Sequence, residues 1–302
     1  MRVVIPGGSG LIGRAVAPRL VAEGHSVVLL TRRPDRLGDL GEGITGEAWD
    51  GRTTLGWGPL IDADCAILNL AGENLAAGRW TGARKRRILE SRVDATRAVA
   101  EAVQKARRKP AMLLQASAVG YYGPRREDAV DEEAAAGDDF LARVCIAWEQ
   151  ASEPVEAAGV RRVLLRTGVV LAGGGGALSK MALPFRWFFG GPLGSGRQAV
   201  PWIHIEDVVE AIAFLLASPE AEGPYNLTAP GGVSNRQLSS ALGKALRRPA
   251  LMPAPAFALR LALGEMADML LTGQKAVPAR LEAAGYQFRF PQIQGALEDL
   301  LS

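Results

Sequence analysis

Cysteine and histidine are scarce in this chain, which has two of each among 302 residues. Cys65 and Cys145 stand in separate apolar segments, so the sequence predicts neither a disulfide framework nor a metal site. A net charge of +3 is too small to indicate a nucleic acid or a membrane surface as a partner. No apolar run has the length of a membrane span, and no signal sequence precedes the first apolar segment. We therefore expect a cytoplasmic protein without metal, nucleic-acid or membrane partners.

Glycine, by contrast, is abundant, and three glycines form a motif near the start of the chain. The β-branched run Val3 to Ile5 predicts a strand that is buried on both faces. The motif Gly7-x-x-Gly10-x-x-Gly13 follows it, and Leu11 to Ala22 then has helical apolar spacing. Strand, glycine turn and helix in this order are typical of a dinucleotide-binding fold, in which a pyrophosphate lies against the helix N-terminus. The alternative is a glycine-rich turn that binds nothing.

Apolar strands and long helices alternate along the first half of the chain. This alternation predicts an α/β protein with a doubly wound parallel sheet of the Rossmann type. From Ala177 onward the composition shifts to large apolar groups and glycine-rich turns. We expect residues 1–170 to form the dinucleotide-binding domain and residues 171–302 a smaller substrate lobe, with some later elements returning to the sheet. The protein is expected to be a monomer or a homodimer.

The end of the second predicted strand, Ser26 to Leu30, has no acidic residue before Asp35. An acidic side chain at this position would bind the ribose 2′-hydroxyl and favour NAD. Thr31, Arg32 and Arg33 instead offer a hydroxyl and two guanidiniums, which suit a 2′-phosphate by charge and geometry. We therefore expect NADP as the cofactor, the alternative being two surface arginines in a turn.

Several segments together carry a family resemblance. They are the Gly7–Gly13 turn, Ser117 to Gly123, Pro201 to Asp207, Tyr225 to Leu227, Asn69 to Asn74, Ser91-Arg92, Trp148-Glu149, Arg166 to Leu171 and Gly273 to Pro278. In these segments the chain resembles extended short-chain dehydrogenases/reductases of the NAD-dependent epimerase/dehydratase group. More closely, it resembles a subgroup called epimerase family protein or nucleoside-diphosphate sugar epimerase, over nearly its whole length.

The resemblance implies a cofactor site along one edge of the sheet. Arg92 would face the cofactor from a helix, and Ser117 together with the backbone near Leu171 would line the nicotinamide end. The other implied contacts are the pyrophosphate with Gly7, Gly10, Leu11 and Ile12, the adenosine phosphate with Thr31 and Arg32, and the ribose with Leu70 and Ala71.

One departure from the family bears directly on catalysis. Active members carry Tyr-x-x-x-Lys on the helix after the Ser117 strand, where the tyrosine is the general acid/base and the lysine lowers its pKa. This motif is absent from the chain, and with Glu149 as anchor its two positions hold Leu141 and Cys145. Ordinary short-chain chemistry through that dyad is therefore not expected.

Two other residues are candidates for catalysis, Tyr122 and Ser117. The phenol of Tyr122 can serve as an acid if a cation lowers its pKa, and Arg92 is one candidate cation. The alternative is that Tyr122 packs as a wall of the substrate cleft. The stretch Val200 to Trp202 stands where sugar epimerases tend to carry an arginine, so the sequence leaves the substrate open.

We therefore predict an NADP-binding, epimerase/dehydratase-like oxidoreductase that acts on a small molecule of unknown identity and lacks the Tyr-x-x-x-Lys dyad. The alternative is a catalytically silent NADP(H)-binding sensor or scaffold protein, in which cofactor occupancy orders the C-terminal lobe without turnover.

Overall fold

A computed structural model describes residues 1–125 and 129–302 of the chain. Within these residues the central element is a parallel sheet of seven strands, and three two-stranded sheets accompany it. The strands are β1 (Arg2–Pro6), β2 (Ser26–Thr31), β3 (Ile44–Ala48), β4 (Cys65–Asn69), β5 (Met112–Ala118), β6 (Ala129–Val130), β7 (Arg161–Thr167), β8 (Val169–Leu171), β9 (Ala199–Val200), β10 (Trp202–His204), β11 (Gly223–Leu227), β12 (Val233–Ser234) and β13 (Lys275–Ala276).

Helices connect these strands and cover both faces of the central sheet. They are α1 (Leu11–Ala22), α2 (Gly82–Lys105), α3 (Phe140–Gln150), α4 (Glu153–Ala157), α5 (Gly176–Arg186), α6 (Ile205–Ala217), α7 (Asn235–Leu246), α8 (Ala256–Leu263), α9 (Asp268–Leu271), α10 (Ala279–Ala283) and α11 (Ile293–Leu301). Short 3₁₀ helices lie at Pro34–Arg36, Gly58–Leu60, Val119–Tyr122 and Gly264–Ala267.

The central sheet has the order β11-β7-β5-β4-β1-β2-β3, with every neighbouring pair parallel. The direction of winding reverses at β1, which lies between β2 and β4. In such sheets a ligand binds beyond the carboxyl ends of the strands, at the point where the winding reverses. The predicted α/β doubly wound sheet is therefore confirmed, and it locates the candidate site next to Gly7.

Two apolar layers sandwich the sheet. Alternate side chains of the buried strands point to opposite faces, so Val3 and Ile5 join the layer under α1 and α6, whereas Val4 joins the layer under α2. The apolar runs that predicted these strands are buried because parallel strands are covered on both faces. No helix in residues 1–125 and 129–302 is long and apolar enough to cross a membrane.

The C-terminal part of the chain builds a second core and also completes the sheet. Leu171, Trp202 and Leu297 belong to the second core, which packs between α5, α7 and α11. The strand β11 returns to the central sheet and pairs with β7 from Gly223 to Leu227. The division at residue 170 stays a prediction, although β11 is an element beyond it that lies in the sheet.

Candidate cofactor site at the carboxyl edge of the sheet

The glycine turn after β1 packs tightly at two of its three motif positions. Gly7 has a φ of +76°, and a Cβ there would lie 2.8 Å from the backbone of Ala71. A Cβ on Gly13 would lie 2.4 Å from the carbonyl oxygen of Gly8. Gly10 is different, because the described atom nearest to a Cβ there is the Gly7 carbonyl oxygen, at 3.4 Å. Packing therefore explains two glycines, and the third leaves free space where a ligand can approach the backbone.

The N-terminus of α1 is open toward this space. Gly10 is its N-cap, and within the described part of the chain no side chain caps it and no acidic residue stands in its first turn. The first bond of the helical ladder is donated by Arg14 to Gly10, which leaves the amides of Leu11 and Ile12 outside the ladder. These donors and the positive end of the helix dipole suit an anion. The N-terminus of α2, by comparison, is capped by Thr81.

The end of β2 adds a hydroxyl and cations. Thr31 is buried, and its hydroxyl donates to the Ser9 hydroxyl at 3.1 Å, whereas Arg32 and Arg33 are exposed. Arg14 is a third cation here, which the sequence analysis missed. Its guanidinium lies between the glycine turn and the chain beyond β2, where it donates to the carbonyls of Ser9, Arg36 and Leu37 at 3.1–3.3 Å. Its position one helical turn after Gly10 was the available signal.

The end of β4 closes the other side of the turn. Leu70 donates from its amide to the Pro6 carbonyl at 2.9 Å, and Ala71 is the backbone against which Gly7 packs. The structure therefore brings the predicted pyrophosphate and ribose residues together. Asn69 fixes this strand end from inside through bonds to the side chains of Thr96 (3.0 Å) and Gln115 (2.9 Å).

Arg92 lies behind this strand end. A Cβ on Gly72 would be 3.2 Å from its Cζ. Its Nη1 donates to the carbonyls of Glu73 (3.1 Å) and Ile88 (3.0 Å), and its guanidinium lies 4.9 Å from the ring centroid of Trp148. Burial lowers the pKa of the Arg92 guanidinium. Its side chain thus supports the loop after β4, and its predicted contact with the cofactor stays a prediction.

A buried ion pair links the end of β7 to α3, and the end of β5 is hydrogen-bonded to it. Arg166 donates from Nε and Nη2 to the two carboxylate oxygens of Glu149, both at 2.9 Å. Ser117 donates its hydroxyl to Oε1 of the same carboxylate at 2.6 Å. Burial disfavours the charge on Arg166, but the hydrogen bonds and charge of Glu149 outweigh it and raise the pKa of the guanidinium. Ser117 is therefore held by the interior, with its hydroxyl committed to Glu149.

Tyr122 belongs to the same network and is fully buried. Its hydroxyl donates to Oδ1 of Asn226 at 2.7 Å and accepts from Nη1 of Arg166 at 3.2 Å. Burial raises the pKa of the phenol, although the hydrogen bond from Arg166 opposes this. The cation beside Tyr122 is therefore Arg166, whereas the sequence had suggested Arg92 as one candidate. A buried phenol with a raised pKa and an occupied hydroxyl is a poor candidate for the general acid.

The residues at the two dyad positions, Leu141 and Cys145, pack against the 3₁₀ helix that follows β5. A Cβ on Gly120 would lie 3.3 Å from Cβ of Leu141 and 3.8 Å from Sγ of Cys145. Burial raises the pKa of the Cys145 thiol to about 12. Neither side chain exchanges a proton near neutral pH. Leu171, predicted near the nicotinamide, is fully buried in the second core, and its backbone pairs with His204.

The reversed winding at β1, the tight glycine turn and the uncapped helix define a dinucleotide-binding protein of the Rossmann type. Comparison with known sequences narrows this class. Residues 3–228 match the NAD dependent epimerase/dehydratase family, and residues 254–300 match a domain of unknown function, DUF1731. The chain therefore belongs to the NAD dependent epimerase/dehydratase family, and the predicted resemblance is confirmed.

Full-length relatives support this assignment. Epimerase family protein Mb2239 of Mycobacterium bovis is 43% identical over 98% of this chain and 96% of its own. The crystal structure of human epimerase family protein SDR39U1 (isoform 2) with NADPH has a TM-score of 0.90 at 37% identity, covering 100% of this chain and 99% of the human one. UDP-glucuronic acid 4-epimerase from Bacillus cereus, with UDP-glucuronic acid and NAD, has a TM-score of 0.82 at 16% identity over 100% and 98% of the two chains, which is a likeness of fold alone.

Proposed function

We propose that the carboxyl edge of the sheet binds NADP(H), with the pyrophosphate against Gly10 and the first turn of α1. The observation that carries this proposal is the open N-terminus of α1 above a glycine that packing does not require. The amides of Leu11 and Ile12 would donate to the pyrophosphate, and Leu70 and Ala71 would line the ribose. The NADPH named with the human relative supports the choice of cofactor.

The end of β2 would discriminate NADP(H) from NAD(H). Arg32 and Arg33 are exposed cations next to the Thr31 hydroxyl, and Arg14 approaches the same region from α1. A 2′-phosphate would gain charge-assisted hydrogen bonds here, whereas an unphosphorylated ribose would not. The predicted contacts of Thr31 and Arg32 are therefore part of the proposal.

A reaction, if catalysed, would be hydride transfer between the nicotinamide and a small molecule. Hydride transfer to a carbonyl leaves an alkoxide, which must then take up a proton. Leu141 has no proton to give, and the pKa of Cys145 is raised to about 12. Tyr122 and Ser117 donate their hydroxyls to Asn226 and Glu149. We therefore propose an NADP(H)-dependent oxidoreductase in which water or the substrate supplies the proton.

The same apolar dyad positions favour a second candidate function, a sensor or scaffold protein in which NADP(H) binds without turnover. The two candidates differ in one observable, the oxidation of bound NADPH in the presence of carbonyl compounds. Catalysed oxidation over the rate without protein supports the oxidoreductase. Binding of NADPH without oxidation by any member of a chemically diverse carbonyl panel supports the sensor or scaffold.

The cofactor proposal is tested by titrating NADPH calorimetrically into the wild-type protein, Gly10→Ala and Gly82→Ala. Both glycines lie at helix N-termini with room for a methyl group, so both variants should fold. We expect Gly10→Ala to weaken NADPH binding at least about tenfold, because its methyl group would occupy the approach to the pyrophosphate. Gly82→Ala should bind as the wild type does. Equal NADPH affinity of all three proteins would show that the glycine turn is not part of the NADPH site.

A further inference from the structure

The C-terminal lobe carries a short apolar helix whose side chains are not buried. In α8, seven of eight residues are apolar, Arg260 being the exception, and none of the eight is buried. Phe257 and Leu261 are one helical turn apart and share a face, and they are 75% and 77% exposed. An amphipathic helix on a protein surface normally turns its apolar face to the core. The apolar face of α8 is therefore exposed to solvent and open to a binding partner.

A second apolar element lies at the end of α5. Trp187, Phe188 and Phe189 follow one another and are each more than half exposed. Phe188 has a φ of +65°, in the left-handed region that favours glycine. The turn is closed by hydrogen bonds from Phe188 to Phe185 and from Phe189 to Pro184, both at 2.9 Å. A bulky residue thus stands where a helix C-terminus usually has glycine, and three aromatic rings project outward.

Hydrogen bonds join the chain after these aromatic residues to the chain before α8. Met252 donates to the Gly190 carbonyl at 3.1 Å, and Ala254 donates to the Pro192 carbonyl at 2.9 Å. Of eleven exposed large apolar side chains in the described residues, eight belong to this region. Scattered exposed apolar residues are ordinary, but such a concentration marks an interaction surface. We define the apolar surface as Leu183, Trp187, Phe188, Phe189, Leu251, Met252, Phe257 and Leu261.

A basic pocket borders the apolar surface. It has a volume of about 450 Å³. The described residues that line it include no aspartate or glutamate and four cations, Arg236, Lys244, Arg247 and Arg248. Leu251 belongs to both the pocket and the apolar surface. The guanidinium of Arg248 also lies 4.6 Å from the ring centroid of Phe188. Arg248 and Leu251 therefore connect the basic pocket to the apolar surface.

This combination selects among the possible occupants. A second copy of the chain, related by a twofold axis through the face, would bring two basic pockets together, and like charges would repel. An anionic lipid surface is complementary to both parts, since acyl chains accept the apolar side chains and headgroups attract the cations. The helix α8 is about 12 Å long, which suits a position within the interface and not a span.

We propose that the C-terminal lobe docks on anionic membrane surfaces through the apolar surface and the basic pocket. The expectation from net charge was no membrane partner, and this proposal departs from it. A net charge of +3 averages over the whole chain and conceals four cations on one face.

The test is co-sedimentation of the full-length protein with vesicles of phosphatidylcholine containing about 30% phosphatidylglycerol, compared with phosphatidylcholine alone. We expect binding to the anionic vesicles that weakens as NaCl rises from about 50 to about 500 mM. A blue shift of tryptophan emission should accompany binding, because Trp187 enters an apolar medium, and Trp187→Phe should remove that shift. No sedimentation with anionic vesicles at the lower salt concentration would overturn the proposal.

Matched variants separate this face from the rest of the protein. Phe257→Ser/Leu261→Ser should reduce vesicle binding at least about tenfold, whereas Leu55→Ser, an exposed apolar residue of the N-terminal part, should not. Lys244→Gln/Arg247→Gln should reduce binding about 25-fold, at about fivefold for each charge removed. The control Arg107→Gln/Arg108→Gln removes two exposed cations of the N-terminal part and should bind normally. All seven positions are exposed, so the variants should keep the thermal midpoint of the wild type.

Three further outcomes would overturn the proposal in distinguishable ways. Equal binding by the variants and the wild type would place any membrane contact elsewhere. A dimer in sedimentation velocity that Phe257→Ser/Leu261→Ser dissociates would assign the face to a second copy of the chain. The protein could also bind inorganic phosphate in calorimetry but no vesicles, with Lys244→Gln/Arg247→Gln abolishing the phosphate binding. That result would show that the pocket binds free anions and not a membrane.

Discussion

The carboxyl edge of the sheet differs between its β1–β2 end and its β5–β7 end. At the β1–β2 end the helix N-terminus is uncapped, Gly10 leaves free space, and Arg32 is exposed. At the β5–β7 end the charged groups of Glu149 and Arg166 are buried and satisfied by each other. The first end offers its polar groups to a ligand, whereas the second uses them inside the protein.

Because of this difference, substitutions at the two ends of the edge should affect different properties, binding at one end and stability at the other. Removing a polar group that faces solvent costs little folding stability. It weakens binding only where a ligand contacts that group. A buried ion pair is expensive to break, since the remaining partner keeps its charge without compensation. The comparison therefore predicts large stability effects at the β5–β7 end and binding effects with little change in stability at the β1–β2 end.

The largest effect is expected from Glu149→Ala. This change leaves the buried Arg166 guanidinium and the Ser117 hydroxyl without their shared acceptor. The free energy of unfolding should fall by about 3–5 kcal/mol in a urea titration. Glu210→Ala is the matched control, because its bidentate partner Arg19 is partly exposed and the loss should be about 1 kcal/mol or less. A loss of similar size in both variants would contradict the distinction.

A smaller effect is expected from Tyr122→Phe. Removing the hydroxyl leaves Oδ1 of Asn226 without its buried donor and takes one of two acceptors from Nη1 of Arg166, which keeps the Glu132 carbonyl at 3.3 Å. This should cost about 1–3 kcal/mol of unfolding free energy. Tyr121→Phe is the control, since that ring keeps its stacking on Arg166. Any NADPH oxidation should persist in Tyr122→Phe. Abolished turnover in a folded Tyr122→Phe protein would restore this phenol as the acid.

The smallest stability effect concerns pH and the second core. His204 is buried, stacks on Phe290 and accepts from the Glu206 amide at 3.1 Å. Burial lowers the pKa of the imidazole, although Asp299, Glu206 and Asp207 oppose this. The unfolded chain therefore binds the proton more readily, so stability should fall as the pH drops below about 6.5.

The slope should not exceed about 1.4 kcal/mol per pH unit for this one group. The measurement is the urea midpoint between about pH 7.5 and 5.5 for the wild type, His204→Asn and His25→Asn. Asparagine preserves a side chain that caps the helix, so His204→Asn should flatten the dependence and remain folded. The pKa of His25 is also lowered, mainly by burial. His25→Asn therefore measures how much of the pH dependence of stability comes from His25. A dependence unchanged by His204→Asn would exclude this imidazole as the source.

Much of the fold could be predicted because its signals are local. The run Val3 to Ile5, the glycine turn and the helical spacing after it are adjacent in sequence, and each has a fixed structural consequence. The cations after β2 were recognisable for the same reason. Arg14 was missed because its side chain crosses from α1 to carbonyls 22 and 23 residues away.

The β5–β7 end could not be predicted because its partners are distant in sequence. Ser117 and Glu149 are 32 residues apart, Tyr122 and Arg166 are 44 apart, and Tyr122 and Asn226 are 104 apart. Periodicity shows that a position is buried but not which side chain it meets. A signal was nevertheless present, since Arg166 follows the apolar residues of a buried strand and Glu149 ends an apolar stretch of helix. A charge in such a position requires a buried partner.

The central claim is that the β1–β2 end binds NADP(H) and that Arg32 recognises its 2′-phosphate. The most direct measurement is calorimetric titration of NADPH and NADH into the wild type, Arg32→Ala and the control Arg107→Ala. We predict that the wild type and the control bind NADPH more tightly than NADH. Arg32→Ala should lose about 10- to 100-fold in affinity for NADPH, with little change in its affinity for NADH or in its stability. Equal affinity of the wild type for the two nucleotides, or an unchanged preference in Arg32→Ala, would contradict the account.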